Sequence, residues 1–134
     1  MKYYIETTVN REFGETIAMV KEALKKEGFG VLSEIDFRKT LKEKLDVEFR
    51  NYTVLGACNP PFAYKALQTE DKIGTLLPCN IVIQQIDDHS TEVAAVDSTV
   101  SMQGVDNDKL KEIAKEIRTR LERVIMSLKS QEHN

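Results

Sequence analysis

Two Cys-Asn pairs offer the most chemistry in this chain. Cys58-Asn59 lies in the phrase Gly56-Ala57-Cys58-Asn59-Pro60, and Cys79-Asn80 in Leu76-Leu77-Pro78-Cys79-Asn80. A thiol next to a helix start has a lowered pKa and can act as a nucleophile or redox centre. Two thiolates can also fill half of a zinc coordination shell. Both pairs have a plainer reading. Free Cys is among the most buried residue types and packs as a small hydrophobe. Asn59 is explained as a helix cap, and Asn80 as a partner for backbone groups of an irregular return. The spacing is no zinc signature, since the dense C-x2-C type is absent. Glu34 and Asp36 are a second constellation. At i and i+2 near the end of a strand they share one face, where paired carboxylates do acid–base work or hold a cation. Asp36 also has a structural use as a helix cap, and Glu34 can be simply solvated.

Little else in the chain is suited to catalysis. His89 falls in the polar turn Asp87-Asp88-His89-Ser90 and His133 in the tail, and neither has a ligand pattern beside it. No Ser-based nucleophile elbow, H-E-x-x-H, Walker A or dinucleotide fingerprint occurs. Gly28-Phe29-Gly30 contains G-x-G, but it follows a helix and precedes a strand, the reverse of the order that binds a dinucleotide. The basic run from Arg38 to Lys44 is interleaved with acids at Glu43 and Glu48 and reads as a solvated helix face.

The elements that position these residues follow from the spacing of apolar side chains. Lys2 to Val9 alternates like a strand and is rich in β-branched and aromatic residues. Asn10 is the expected N-cap of a helix over about 11–27, with Phe13, Ile17, Val20 and Leu24 on one face. Gly28 ends it in the left-handed conformation. A second strand spans about Phe29 to Ile35, and Asp36 caps a short helix carrying Leu41 and Leu45. The third strand is Tyr52 to Cys58. Asn59-Pro60-Pro61 opens another helix, with Pro at a position where its missing N–H costs nothing. Asp71 to Leu77 is an irregular return. Strands over Cys79–Ile86 and Thr91–Ser98 form a hairpin, and a long amphipathic helix runs over about 107–128.

This pattern predicts an α+β two-layer sandwich: a mostly antiparallel five-stranded sheet with two long helices on one face, in a β-α-β-β-β-β-α core. Residues 1–134 make one domain, since no linker, repeat or low-complexity tract divides them. Antiparallel neighbours would bring Cys58 and Cys79 to one edge of the sheet, both reduced and lining one pocket. The central strands are apolar on both sides, as in Val54-Leu55-Gly56-Ala57 and Ile81-Val82-Ile83. The second sheet face must therefore be covered, either by the short helices and the loop or by another subunit. A homodimer is the expectation that follows.

Composition narrows the function classes. The 134 residues carry 19 Lys and Arg against 22 Asp and Glu, a net charge of −3. A nucleic-acid binder normally shows a basic excess, so none is expected here. No segment approaches ~18 consecutive apolar residues, which argues against a membrane span. The N-terminal residues have no apolar signal region, and a cytoplasmic protein is expected.

The two Cys-Asn phrases, together with Ala63, Ala66-Leu67, Ile81-Val82-Ile83, the lead-in Ser33-Glu34-Ile35-Asp36 and Leu41-Lys42-Glu43-Lys44-Leu45, resemble the family catalogued as domain of unknown function 302. The resemblance covers nearly the whole chain. It implies a compact α/β domain grouped with the TATA-binding-protein-like folds and a tendency to form homodimers. It implies no DNA binding, because fold does not carry function. It supplies no catalytic residues and no cofactor. The matching positions are Glu34, Asp36, Cys58, Asn59, Pro60, Pro78, Cys79 and Asn80. One departure is visible: the family often shows an Asp-Pro pair after the fifth strand, where this chain has Asp97-Ser98.

Three functional readings remain open. The first is a homodimeric binding protein that holds a small ligand or a partner near the Cys58 and Cys79 strand ends, with Glu34, Asp36, Cys58, Asn59, Cys79 and Asn80 as candidate residues. The second is a thiol-dependent enzyme or redox protein using Cys58 or Cys79. The third is a metal-binding protein.

Overall fold

The computed structural model describes residues 2–131. In chain order its elements are β1 (Tyr4–Val9), α1 (Phe13–Lys26), β2 (Gly30–Asp36), α2 (Phe37–Leu45), β3 (Tyr52–Cys58), α3 (Pro60–Thr69), a 3-10 turn (Asp71–Leu76), β4 (Cys79–Gln85), β5 (Thr91–Val96), α4 (Ser98–Ser101) and α5 (Asp108–Gln131). The five strands form one sheet in the order β1-β5-β4-β3-β2, and every neighbouring pair is antiparallel. This is the expected α+β two-layer arrangement.

Strand alternation sorts the side chains into two faces. One row across the sheet runs Ile5, Ala95, Ile81, Leu55. These residues, with Ala57, Ile83 and Val93, meet Val20, Ala23 and Leu24 of α1 and Ile117, Leu121, Val124 and Leu128 of α5 in one buried core. Both long helices therefore lie on the same face. The N-terminal part of α5 makes a second, smaller core. There Leu110 and Ala114 pack with Ala66 of α3, Ile73 of the 3-10 turn and Met102.

The next row runs Glu6, Ala94, Val82, Val54 and Ile35 and points the other way. The short helices leave the middle of this second face open, α2 reaching it only through Phe37 against Tyr52. α3 packs against α5, and α2 lies against β3 alone among the strands and long helices it meets most. Val54, Val82, Ala94 and Val96 are left half-buried.

Two caps differ from the sequence reading. Asn10 is not the N-cap of α1; Glu12 is, and its carboxylate accepts from the Glu15 N–H at 2.9 Å. Asn10 stands too far ahead, because Thr16 N–H bonds back to the Glu12 carbonyl and so starts the helix later. Asn59 does occupy the N-cap position of α3, but its side chain makes no capping bond. Two others are as expected. Asp36 accepts from Lys39 N–H at 3.0 Å, and Gly28 ends α1 with φ of +86°. His133 lies outside the described residues.

Candidate functional site

The register of β3 and β4 places Ala57 opposite Cys79, which brings the two cysteines together at one end of the sheet. Cys58, Asn59 and Cys79 line one cleft with Phe29, Leu77 and Pro78. Its volume is only about 20 Å³, room for about one water. Cys79 is buried, and burial, aided by the neighbouring Cys58, pushes its thiol up to about 11. A thiol so placed is almost wholly protonated at neutral pH and a poor nucleophile. Among the described residues no three His, Cys, Asp or Glu side chains converge on a point where a metal could sit.

Asn59 has a structural task in this cleft. Its Nδ2 donates to the Glu27 carbonyl at 3.2 Å, at the end of α1. The Arg120 guanidinium donates to the same carbonyl at 3.2 Å and lies against the Phe62 ring. A helix C-terminus leaves carbonyls without intrahelical partners and carries partial negative charge, so an amide and a cation both suit it.

The other candidates lie elsewhere. Glu34 and Asp36 do share a face, on the edge strand β2, opposite Leu55 and Thr53. Glu34 is ion-paired with Lys21 of α1 at 2.6 Å, and Asp36 is taken up as the cap of α2. Strand alternation turns Asn80 away from Cys79 and onto the uncovered sheet face, where the Asn80 side chain is exposed. Among the described residues it has no hydrogen-bond partner, so the second carboxamide does not join the two thiols.

Asn80 stands instead between two larger spaces. One is a cavity of about 260 Å³ lined by Thr75, Leu76, Leu77, Pro78, Asn80, Val96 and Ser101. The other is a trough of about 450 Å³ along the uncovered sheet face, with Val82, Ala94 and Val96 as floor and Tyr4 and Tyr52 at its sides. Asn80 and Val96 belong to both. Gly56 keeps this end of the sheet tight. A β-carbon there would collide with Ser33 Oγ and come within 2.9 Å of Pro78 Cγ. Thr75, Ser101, Tyr4 and Tyr52 are not singled out by any motif. The signal that finds the two tyrosines and Asn80 is parity along the strands, since Tyr52, Val54, Asn80, Val82 and Gln84 share one face.

The charges of the trough are partly satisfied. Gln84 receives a hydrogen bond from Arg50 Nε and donates one to Glu92, each at 2.8 Å. Lys2 pairs with Glu6 at 3.3 Å. Beyond β5, Asp97 caps α4 by accepting from the Thr99 N–H and hydroxyl and from Arg118 Nε. Burial raises its pKa, but these bonds outweigh burial and hold the carboxyl below the usual range. No helix among the described residues is long and apolar enough to cross a membrane.

Comparison with known proteins agrees with this architecture. The family model described as "Domain of unknown function DUF302" matches residues 5–128. A crystal structure of an uncharacterized conserved DUF302 protein from Bacillus stearothermophilus is 31% identical, with a TM-score of 0.86 over 94% of this chain and 98% of that one. No curated protein matches the chain. With the family pattern running from β1 to the last turns of α5, this chain belongs to the DUF302 family.

Proposed function

We propose that this chain is a homodimeric, non-enzymatic binding protein of the cytoplasm. Its ligand is a small, uncharged, polar molecule held beside Asn80. The observation that carries this reading is the cavity of about 260 Å³ where the Asn80 carboxamide is exposed without a partner. A carboxamide offers both donors and an acceptor. Thr75 and Ser101 spend their hydroxyl protons on the carbonyls of Lys72 and Ser98 and keep lone pairs for a ligand. Leu76, Leu77, Pro78 and Val96 supply apolar wall, and among the described residues no charged side chain lines the space. Few polar groups on an apolar wall are the usual makeup of a small-molecule site. The site is at the start of β4, next to Cys79 in sequence but on the other side of the sheet from the Cys79 thiol.

The homodimer is supported by the half-buried valines of the uncovered sheet face. An exposed apolar face of this kind marks an interaction surface in soluble proteins.

The test is a backbone amide NMR titration with two neutral carboxamides, N-methylacetamide and benzamide, at millimolar concentrations. Saturable shifts clustered on Leu77, Asn80 and Ser101, abolished by Asn80→Ala, are expected. Shifts scattered over the surface, or shifts that survive Asn80→Ala unchanged, would sink the proposal.

A further inference from the structure

α2 is only half packed: Phe37 and Leu41 are half-buried against β3, and the stripe runs on into water beyond them. Phe37, Leu41 and Leu45 recur every fourth residue and form one apolar stripe. Yet none of its nine residues is buried, and Leu45 is 66% exposed. A helix this short does not hold itself in water, and its stability has to come from packing of the apolar stripe. Val47, just beyond it, is 43% exposed as well.

The same chain carries a surface that fits this stripe. The trough on the uncovered sheet face has an apolar floor and a volume of about 450 Å³, space for a few leucine-sized side chains. Its charged lining residues are Glu6, which is paired with Lys2, and Glu92, which holds no ion pair among the described residues. α2 is basic, with Arg38, Lys39, Lys42 and Lys44 against a single acid, Glu43. Lys42 is paired with Asp46 and Glu48, whereas Lys39 and Lys44 hold no ion pair among the described residues. Two α2 helices packed on each other would oppose like charges. An α2 on a trough matches apolar with apolar and basic with acidic.

The two surfaces also adjoin. The Tyr52 ring lines the trough, and the Phe37 ring at the start of α2 meets it edge-on at 5.8 Å. Surfaces side by side on one protomer can be exchanged by a two-fold axis passing between them, giving a closed, self-complementary contact.

We propose that two copies of this chain associate by reciprocal docking of α2 from each into the sheet trough of the other. This rests on the homodimer reading above and names the surfaces that make it. The docked helix would also wall the trough side of the Asn80 cavity, so each ligand site would be completed by the other copy.

Sedimentation equilibrium of the full chain tests the proposal. At tens of micromolar the wild type is expected at twice 15.3 kDa. Leu45→Glu alters a side chain already in water within the protomer. It is expected to leave the circular dichroism in place and to yield monomer, with the urea midpoint lowered only by the lost dimer linkage and no longer dependent on protein concentration. Lys44→Glu and Glu92→Lys are each expected to weaken the dimer Kd tenfold or more. The double variant is expected to recover most of that loss, because it restores an opposite-charge contact. A wild-type monomer would remove the homodimer reading and this one together. A wild-type dimer whose Kd is unmoved by Leu45→Glu, or whose charge-reversed double variant shows no recovery, would overturn reciprocal docking alone.

Discussion

The side-chain amide of Asn59 reaches back 32 residues to the Glu27 carbonyl, donating to it at 3.2 Å. An N-cap uses a side-chain oxygen as acceptor; this contact uses the nitrogen as donor. The two roles separate cleanly by mutation. Asn59→Asp keeps a capping oxygen but loses the donor and sets a negative charge against a carbonyl. It is expected to cost about 1–3 kcal/mol, the usual cost of an unsatisfied buried polar group. Urea unfolding measures it, and a variant as stable as the wild type would show that Asn59 serves α3 rather than α1.

Gly56 allows a close approach rather than a special backbone angle. Gly56→Ala would drive a methyl group into Ser33 Oγ and Pro78 Cγ. Overpacking of this kind costs about 1–3 kcal/mol. The same measurement applies, and Ser33→Gly in the Gly56→Ala background is expected to return part of the loss.

Asp97 makes the fold sensitive to acid. Its folded pKa lies below the ordinary 3.8. Its contribution is therefore fully present above the unfolded pKa and is lost as pH falls through the lower, folded one. Asp97→Asn is expected to cost about 1–3 kcal/mol near pH 7, since it weakens the bonds from Thr99 and Arg118. The gap between variant and wild type closes as both are titrated below about pH 4. A gap that stays constant down to pH 2 would assign the loss to something other than the carboxylate charge.

Cys79 predicts the opposite slope at the alkaline end. Its thiol ionises at about 11 rather than 9.0 because it is buried beside Cys58. The stability gained by keeping it neutral is complete below pH 9 and is lost as pH rises through the folded value. Cys79→Ala is expected to unfold less steeply than the wild type between pH 9 and 11. A small alkylating reagent at pH 7 is expected to leave Cys79 unmodified until denaturant is added, which mass spectrometry of tryptic peptides reads directly. Fast native alkylation of Cys79 would revive the thiol-enzyme reading.

Most of the framework was legible in the residues alone. Period-two and period-four apolar spacing marks every long element, and Gly28 and Asp36 mark helix boundaries, because these signals are local and depend on backbone chemistry within a few residues. Locality also let β3 and β4 be read as antiparallel neighbours, which was enough to bring Cys58 and Cys79 together. Only the tertiary structure decided what that meeting amounts to. The space left between Phe29, Leu77, Pro78 and Ile117 is set by packing from distant parts of the chain, and it closes the cleft to about 20 Å³. Asn59 was placed rightly at the start of α3, but its side-chain partner was not legible, because that partner is the end of a helix 32 residues away. Asn80 was grouped with the thiols by its place in the sequence, although strand alternation sends it to the face opposite Cys79. Which part of the sheet face stays open, and hence the trough and the exposed Leu45 end of the α2 stripe, depends on how β-strands and helices pack in three dimensions; no spacing within the sequence encodes it.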